Sequence, residues 1–586
     1  MKRFFSVFLG SMAAIWFSVI IGGILLLFTF AAIGISKFNS DGIKVQRHSV
    51  LKIDLSGEVE ERETPVGLMD RLANEGLSMI SLEKLIAAID KASADDDIEG
   101  IVIDCHGLSV GSAQAQAIRE ALQAFKAKGK WIYSYSDNYE QIDYFIASVA
   151  DSMFINPIGM VNIHGLSAMN IYFKDLLDKL GVSVQVVKVG TYKSAVEPFI
   201  LNESSEANRK QQEHYLNSFW GEISGAIAAA RGVSVERVND WANGFVFADP
   251  TDSYVKNQMV DKELYRHEFE EFIVKESGLE KDDSPRFIGI DDYYVAKGLG
   301  ALKNGGKQIA ILYAVGDITE SGNDGIASDR LVPQILELAK NEDIDGLILR
   351  INSGGGSAFA SEQIWEALQQ FKKLTGKPFY VSMSDVAASG GYYIACGADK
   401  IYAQPLTITG SIGIFGLVPD ASKLLNDKIG IHTSTVSTNE GQFPGFVNPM
   451  TPAQRNAMQS YVDRGYELFV SRVAKGRGME VDSVKAIGEG RVWDGLTASK
   501  IGLVDKLGSL QTAISDMAFE LGASKDYYTV SYPPVTMEWW EIMLEKSLSS
   551  KIGGGNFGKY VEIYEGLQAI KEWDPLQARM DMVVIK

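Results

Sequence analysis

Two stretches of this chain are copies of one another, and that duplication limits the possible folds more than any single motif does. Ile98-Glu99-Gly100-Ile101-Val102-Ile103 matches Ile344-Asp345-Gly346-Leu347-Ile348-Leu349 at an offset of 246 residues. Glu120-Ala121-Leu122 and Phe125-Lys126 match Glu366-Ala367-Leu368 and Phe371-Lys372 at the same offset. The offset then drifts to 248, where Tyr144, Ala150-Asp151, Pro157 and Gly165 meet Tyr392, Ala398-Asp399, Pro405 and Gly413. Arg231-Gly232 and Val260-Asp261-Lys262 recur as Arg477-Gly478 and Val504-Asp505-Lys506. The copies run from about 48 to 275 and from about 307 to 520. Self-similarity of this length means tandem duplication of one folding unit.

Each copy alternates short β-branched runs with helical patterns. In copy two, Gln308–Ala314, Gly346–Ile351, Phe379–Met383 and Lys400–Ala403 read as strands. Leu331–Lys340, Ser361–Lys373, Ser389–Cys396 and Ala421–Lys428 read as helices. Strands alternating with helices imply an α/β unit with parallel pairing. Residues 204–231 and 452–476 look helical and are expected to form arms that pack on a sheet or on a neighbouring subunit. The expected division is 1–44 for a cytoplasmic stub and membrane anchor, 45–300 for copy one, 301–525 for copy two and 526–586 for a C-terminal tail. The tail includes a Gly/Ser-rich loop at Ser549–Gly555.

A duplicated fold keeps its core pattern in both copies, whereas chemistry need survive in only one. Differences between matched positions are therefore informative. Asn352-Ser353-Gly354-Gly355-Gly356-Ser357 follows a strand, and its match is His106-Gly107-Leu108-Ser109-Val110-Gly111, which lacks the run of glycines. Consecutive glycines reach positive φ and can turn N–H groups toward an anion or oxyanion, although a plain tight turn uses the same residues. No GxxxxGK[ST] follows, so a phosphate-binding nucleotide loop is not indicated.

Ser389, in Ala387-Ala388-Ser389-Gly390-Gly391-Tyr392, stands where copy one has Gln141. A serine between a strand and a helix start lies in the positive end of the helix field, which favours a developing oxyanion; an N-cap is the competing reading. Conversely, Lys193, in Thr191-Tyr192-Lys193-Ser194-Ala195, stands where copy two has Gln442. A lysine can act as general base when burial lowers its pKa from about 10.4 toward about 7–8. Copy two holds the serine without the lysine, and copy one the lysine without the serine. This reciprocal loss points to one composite site for each pair of copies.

Acidic residues outnumber basic ones 75 to 56, for a net charge of −19. Bulk affinity for nucleic acid is unexpected, because phosphate neutralisation needs clustered cations. Two cysteines, Cys105 and Cys396, make no disulfide framework, and six scattered histidines form no HExxH pair. Cys396 reads as a small buried packing residue. No metal or cofactor is expected. Near the start, Lys2-Arg3 is followed by 33 uncharged residues, Phe4 to Ser36. A bilayer needs about 20 apolar residues, and a signal-peptide core is shorter, about 7–15. The run reads as an N-terminal transmembrane helix contacting lipid through residues 4–36, with Lys2 and Arg3 in the cytoplasm.

The span, the Tyr-Lys-Ser-Ala-Val-Glu-Pro-Phe segment at 192–199, the Asn-Ser-x-Gly-Gly-Ser loop at 352–357 and Ala-Ala-Ser-Gly-Gly-Tyr at 387–392 resemble the signal peptide peptidase A (protease IV) family in its long, duplicated form. The likeness covers residues 1 to about 520, and Trp573–Met580 is similar to that family's tail. The resemblance implies a crotonase/Clp-protease-type βαβ superhelix. It implies a bacterial inner-membrane serine endopeptidase with its catalytic region in the periplasm, assembled as a homotetramer, that degrades cleaved signal peptides and other apolar peptides. Ser389 matches the nucleophile and Lys193 the general base. Gly390 and Gly355 or Gly356 would form the oxyanion hole, and Ser194 could hold the lysine. Gly354 departs from the family, where proline is common at that place.

Three other readings compete. A crotonase-type acyl-CoA hydratase or hydrolase would use the glycine loop for a thioester, but a far-side location is poor in CoA. A non-enzymatic membrane scaffold would leave Ser389 as a helix cap. A histidine-dependent serine peptidase would use His106 or His432 as base.

Overall fold

The computed structural model describes residues 44–63, 79–299, 305–534, 576–579 and 584–585. The expected span over 4–36 and the loop Ser549–Gly555 lie outside these residues. Among the described residues no helix is long and apolar enough to cross a membrane.

The molecule is mixed α/β, and the duplication appears as two similar sheets. In copy one the strand order is Met79–Ser81, Ser49–Glu60, Ile98–Ser109, Trp131–Tyr139, Ser152–Val161, Lys262–Glu263, with Phe287–Gly289 also pairing Ser49–Glu60. All these pairings are parallel. In copy two the order is Val492–Asp494, Ile408–Gly410, Phe379–Ala388, Ile344–Ser353, Lys307–Val315, Tyr527–Tyr532. The matched central strands, Ile98–Ser109 of copy one and Ile344–Ser353 of copy two, carry near-continuous buried apolar runs, as strands covered by helices on both faces must. The strand Tyr527–Tyr532 lies beyond the boundary expected at 525, yet it adds parallel to Lys307–Val315 as Phe287–Gly289 adds to copy one.

A third, six-stranded sheet joins the copies. Its order is Ile326–Ala327, Ile318–Thr319, Gly355–Ser357, Leu576–Arg579, Phe415–Asp420, Ser183–Lys188. The last strand comes from copy one and runs antiparallel to Phe415–Asp420 of copy two, with Ser183 opposite Asp420 and Lys188 opposite Phe415. The two main cores are also shared: Val187 packs into the copy-two core, and Leu406, Ile408 and Val492 pack into the copy-one core.

The helical arms are Glu206–Arg231 and Pro452–Arg477, each of 26 residues. Ser205 and Thr451 cap their starts, and Gly232 and Gly478 end them in the left-handed conformation. Each arm crosses to the other copy. Gln211 Oε1 accepts from Val492 N at 3.2 Å, and Gln459 Nε2 donates to Lys188 O at 3.2 Å.

Two local expectations are corrected. The helix expected at Ala421–Lys428 is a π-helical turn over Leu424–Ile429. Leu424 N donates to Gly181 O of copy one at 2.8 Å, which diverts the donor an α-helix would have used. The strand expected to end at Met383 continues to Ala388, because Val386, Ala387 and Ala388 pair with Ile408, Thr409 and Gly410. The helix that follows is Gly390–Ala395, so Ser389 stands just outside it.

Candidate active site

Ser389 occupies the corner between the strand Phe379–Ala388 and the helix Gly390–Ala395, at φ 56° and ψ −114°. A non-glycine residue in such a region costs about 1–3 kcal/mol and persists only where its surroundings enforce it. Ser389 N donates to Gly410 O at 2.8 Å, and Gly391 packs so closely on Ser353 O that a Cβ there would lie 2.7 Å away. The corner aims the hydroxyl away from the helix: Ser389 caps it by position, with no side-chain cap hydrogen bond.

Lys193 comes from the other copy, five residues after the strand Ser183–Lys188. It is fully buried, as is Ser389. Lys193 Nζ donates to Ser389 Oγ at 2.8 Å. It also donates to Ser411 Oγ at 3.0 Å and Ser411 O at 3.3 Å, and lies 5.8 Å from the centre of the Phe415 ring. The lysine loop is seated on the copy-two turn 488–491: Tyr192 N donates to Glu489 O at 3.0 Å, and Gly490 packs against the lysine backbone and stem. Gly490 sits at φ 75°, and a Cβ there would meet Lys193 Cβ at 2.6 Å. Both facts require glycine at this position.

Sequence reading missed Ser411. It is held at φ 50°, its N–H donates to Arg491 O at 2.7 Å, and it is the hydroxyl beside the amine. The expected support, Ser194, accepts from Gln211 Nε2 at 3.1 Å, and Gln211 in turn ties the lysine loop to Val492. The signal for Ser411 was present, since the matched residue in copy one is Ile163.

Gly355 and Gly356 form, with Ser357, a short strand at φ 104° and 156° for the two glycines. A Cβ on Gly356 would lie 2.0 Å from Ile318 O, so no side chain fits there. Gly355 N donates to Ser353 Oγ at 3.1 Å. Gly390 opens its helix, and its N–H therefore precedes any intrahelical acceptor. Between the glycine strand and Phe415–Asp420 lies the segment Leu576–Arg579, antiparallel to both, with Gly356 opposite Ala578 and Phe415 opposite Gln577. An extended stretch of this chain thus lies between the glycine strand and the strand that pairs with Ser183–Lys188.

In copy one the corresponding loop is closed. Asp143 accepts from Gly107 N at 3.1 Å and Leu108 N at 3.2 Å, so a carboxylate pins the residues that match Ser353 and Gly354, ahead of the glycine strand. Burial pushes that carboxyl up to about 6 despite those two bonds. Gln141 is used structurally, accepting from His164 N and Gly165 N. His106 Nε2 lies 3.1 Å from Asp104 in copy one, and His432 is exposed in the segment 431–440, so neither histidine shares the geometry around Ser389. Cys396 is buried and donates to Tyr393 O; burial pushes its thiol up to about 12, as expected for a packing residue. Among the described residues no group of three or more His, Cys, Asp or Glu could hold a metal ion.

Comparison with known proteins identifies the family of the chain. The model of peptidase family S49 matches residues 124–272 and again 371–524, one match in each copy, and a Clp protease model matches residues 314–408. Protease 4 of Haemophilus influenzae is 33% identical over 516 residues, covering 85% of this chain and 83% of that protein. Protease 4 of Salmonella typhi is 32% identical, covering 84% and 82%. The chloroplastic serine protease SPPA of Arabidopsis thaliana is 29% identical, covering 80% of this chain and 69% of its own length. With both copies matched and most of the length shared, this chain belongs to peptidase family S49 and is a serine protease of the long, duplicated kind that includes Protease 4.

Proposed function

We propose that this protein is a membrane-anchored endopeptidase with a Ser389–Lys193 dyad that cuts cleaved signal peptides and other apolar peptides at the bacterial inner membrane. The observation that carries the reading is the 2.8 Å contact between Lys193 Nζ and Ser389 Oγ across the junction of the two copies. Neutral Lys193 accepts the proton of Ser389 Oγ as the oxygen attacks the scissile carbonyl. Ser411 orients the amine. The tetrahedral oxyanion forms beside the N–H of Gly390, and losing one such donor typically costs about 10²–10³ in rate. The glycine strand would supply a second donor; for Gly355 that requires exchange of its bond to Ser353. Lys193 then protonates the leaving amine, and a water activated by the same amine releases the acyl group.

Substrate would enter as an added strand between Gly355–Ser357 and Phe415–Asp420, where main-chain bonds bind any extended peptide and side-chain pockets select. The tail segment Leu576–Arg579 models that pose. It also competes for it, so Ala578→Pro, which spoils the tail strand, is expected to lower KM for a short peptide severalfold while leaving kcat near that of the parent. An unchanged KM would mean that the tail does not obstruct the slot.

The anchor reading rests on the uncharged run Phe4–Ser36, which would hold the enzyme where apolar remnants partition and raise their encounter rate. It places the N-terminus in the cytoplasm and the catalytic region in the periplasm; assembly as a homotetramer is what the family resemblance implies. A relative described as a putative signal peptide peptidase SppA, from Enterococcus faecium, is 33% identical over 223 residues. The test is covalent: a fluorophosphonate probe on the detergent-solubilised protein should label one residue, Ser389, and block cleavage of an apolar, signal-peptide-like substrate. Labelling elsewhere, or cleavage that survives full labelling, refutes the assignment. Hydrolysis of acyl-CoA without peptide cleavage would favour the thioester reading.

A further inference from the structure

The serine and the lysine sit on different copies, so their separation depends on how firmly the copies are registered. Copy one grips the strand that leads to Ser389 at two adjacent residues, Ser384 and Asp385. Asp385 Oδ1 accepts from Ala113 N at 2.8 Å and Gln114 N at 3.1 Å, in the first turn of the copy-one helix Ser112–Lys126. The N-cap of that helix is Gly111, which has no side chain to serve its own turn. A Cβ on Gly111 would lie 2.0 Å from Asp385 Cγ. The copy-two carboxylate therefore stands where a cap from copy one would stand.

The other carboxylate oxygen faces Asn352 Nδ2 at 3.3 Å, and Asn352 Oδ1 accepts from Val386 N at 3.2 Å. One side chain thus connects the copy-one helix, the root of the glycine strand and the strand that carries Ser389. Its neighbour Ser384 donates to Glu61 of copy one. Glu61 also accepts from Arg350 Nε at 2.8 Å and Gln114 Nε2 at 2.9 Å. Burial would raise the Glu61 carboxyl, but Arg350, Ser384 and Gln114 outweigh it and hold it below its ordinary value. Burial and the nearby Glu61 push the Asp385 carboxyl up to about 6, with the two helix N–H groups opposing that rise.

We propose that Asp385 is a positioning residue for the dyad: it caps the copy-one helix across the junction and so holds the Ser389 strand in register with the copy that carries Lys193. The proposal rests on the Ser389–Lys193 reading above. Its effect is geometric, and misplacement of a reacting group by about 1 Å can cost about 10²-fold in rate.

The experiment separates capping from registration. Asp385→Ala should lower both Tm and kcat, the latter about 10- to 100-fold by the same argument, with KM nearly unchanged. In Asp385→Ala/Gly111→Ser the clash is gone and the new hydroxyl can cap the helix from within copy one. That double variant should recover Tm while kcat stays low. Asp385→Asn, which keeps an acceptor oxygen, should lie between the parent and Asp385→Ala in kcat. Recovery of kcat together with Tm in the double variant would reduce Asp385 to a helix cap and overturn the proposal, as would a parental kcat in Asp385→Ala. Failure of the dyad itself is read separately, from turnover that survives Ser389→Ala.

Discussion

Ser389→Ala is expected to remove peptide turnover almost completely, with a loss of about 10⁶ in kcat, the size of loss seen when the nucleophile of a serine protease is deleted. The variant keeps Cβ and the strained corner at φ 56°, so the backbone cost is present in both proteins. Only the oxygen that Lys193 meets at 2.8 Å is lost. Because Ser389 makes no side-chain cap bond to its helix, the fold has little to lose, and Tm should stay within a few degrees of the parent. The measurement is cleavage of a fluorogenic apolar peptide in mild detergent, beside a melting curve and a sizing run. Equal turnover in parent and variant would mean that the nucleophile lies elsewhere or that a contaminant cuts the peptide. Absence of turnover in both would point toward a scaffold or an acyl-transfer enzyme.

The residues at the centre of this site were legible because the chain contains its own comparison. Ser389 against Gln141 and Lys193 against Gln442 are differences between positions that a shared core would otherwise keep alike. Ser411 against Ile163 carries the same signal, and the geometry gives the reason: a hydroxyl is needed only where there is an amine to receive it. Asp385 is invisible to this method. Ser134-Tyr135-Ser136-Asp137 and Ser382-Met383-Ser384-Asp385 are nearly identical, yet Asp137 is exposed while Asp385 meets the copy-one helix. Equal residues acquire different roles because one copy faces its twin and the other does not. Alternation of strands and helices made the α/β class readable. It said nothing of the antiparallel pairing of Ser183–Lys188 with Phe415–Asp420, which depends on contacts more than two hundred residues apart and helps bring the lysine to the serine. The π-helical turn at Leu424–Ile429 was missed for a related reason: local propensity lost to a hydrogen bond from the other copy.

Lys193→Gln gives copy one the residue that copy two carries at position 442, and it is expected to lower kcat by about 10³–10⁴ with little change in KM. A general base alone is worth about 10²–10⁴, and in the proposed mechanism one amine serves both proton transfers, so its removal should fall near the top of that range. Glutamine fits the same buried stem space beside Gly490 and can still donate to Ser411, but it cannot take a proton from Ser389 Oγ. Melting should therefore be unaffected or nearly so, which separates a chemical loss from a collapse of the junction. Labelling of Ser389 by the fluorophosphonate should slow in parallel, because the probe needs the same deprotonated oxygen. Ser411→Ala should cost less, about tenfold, since it removes one of the amine's partners and leaves the base in place. Turnover of Lys193→Gln within twofold of the parent would show that another group accepts the proton, and the composite site of the two copies would then need a different base.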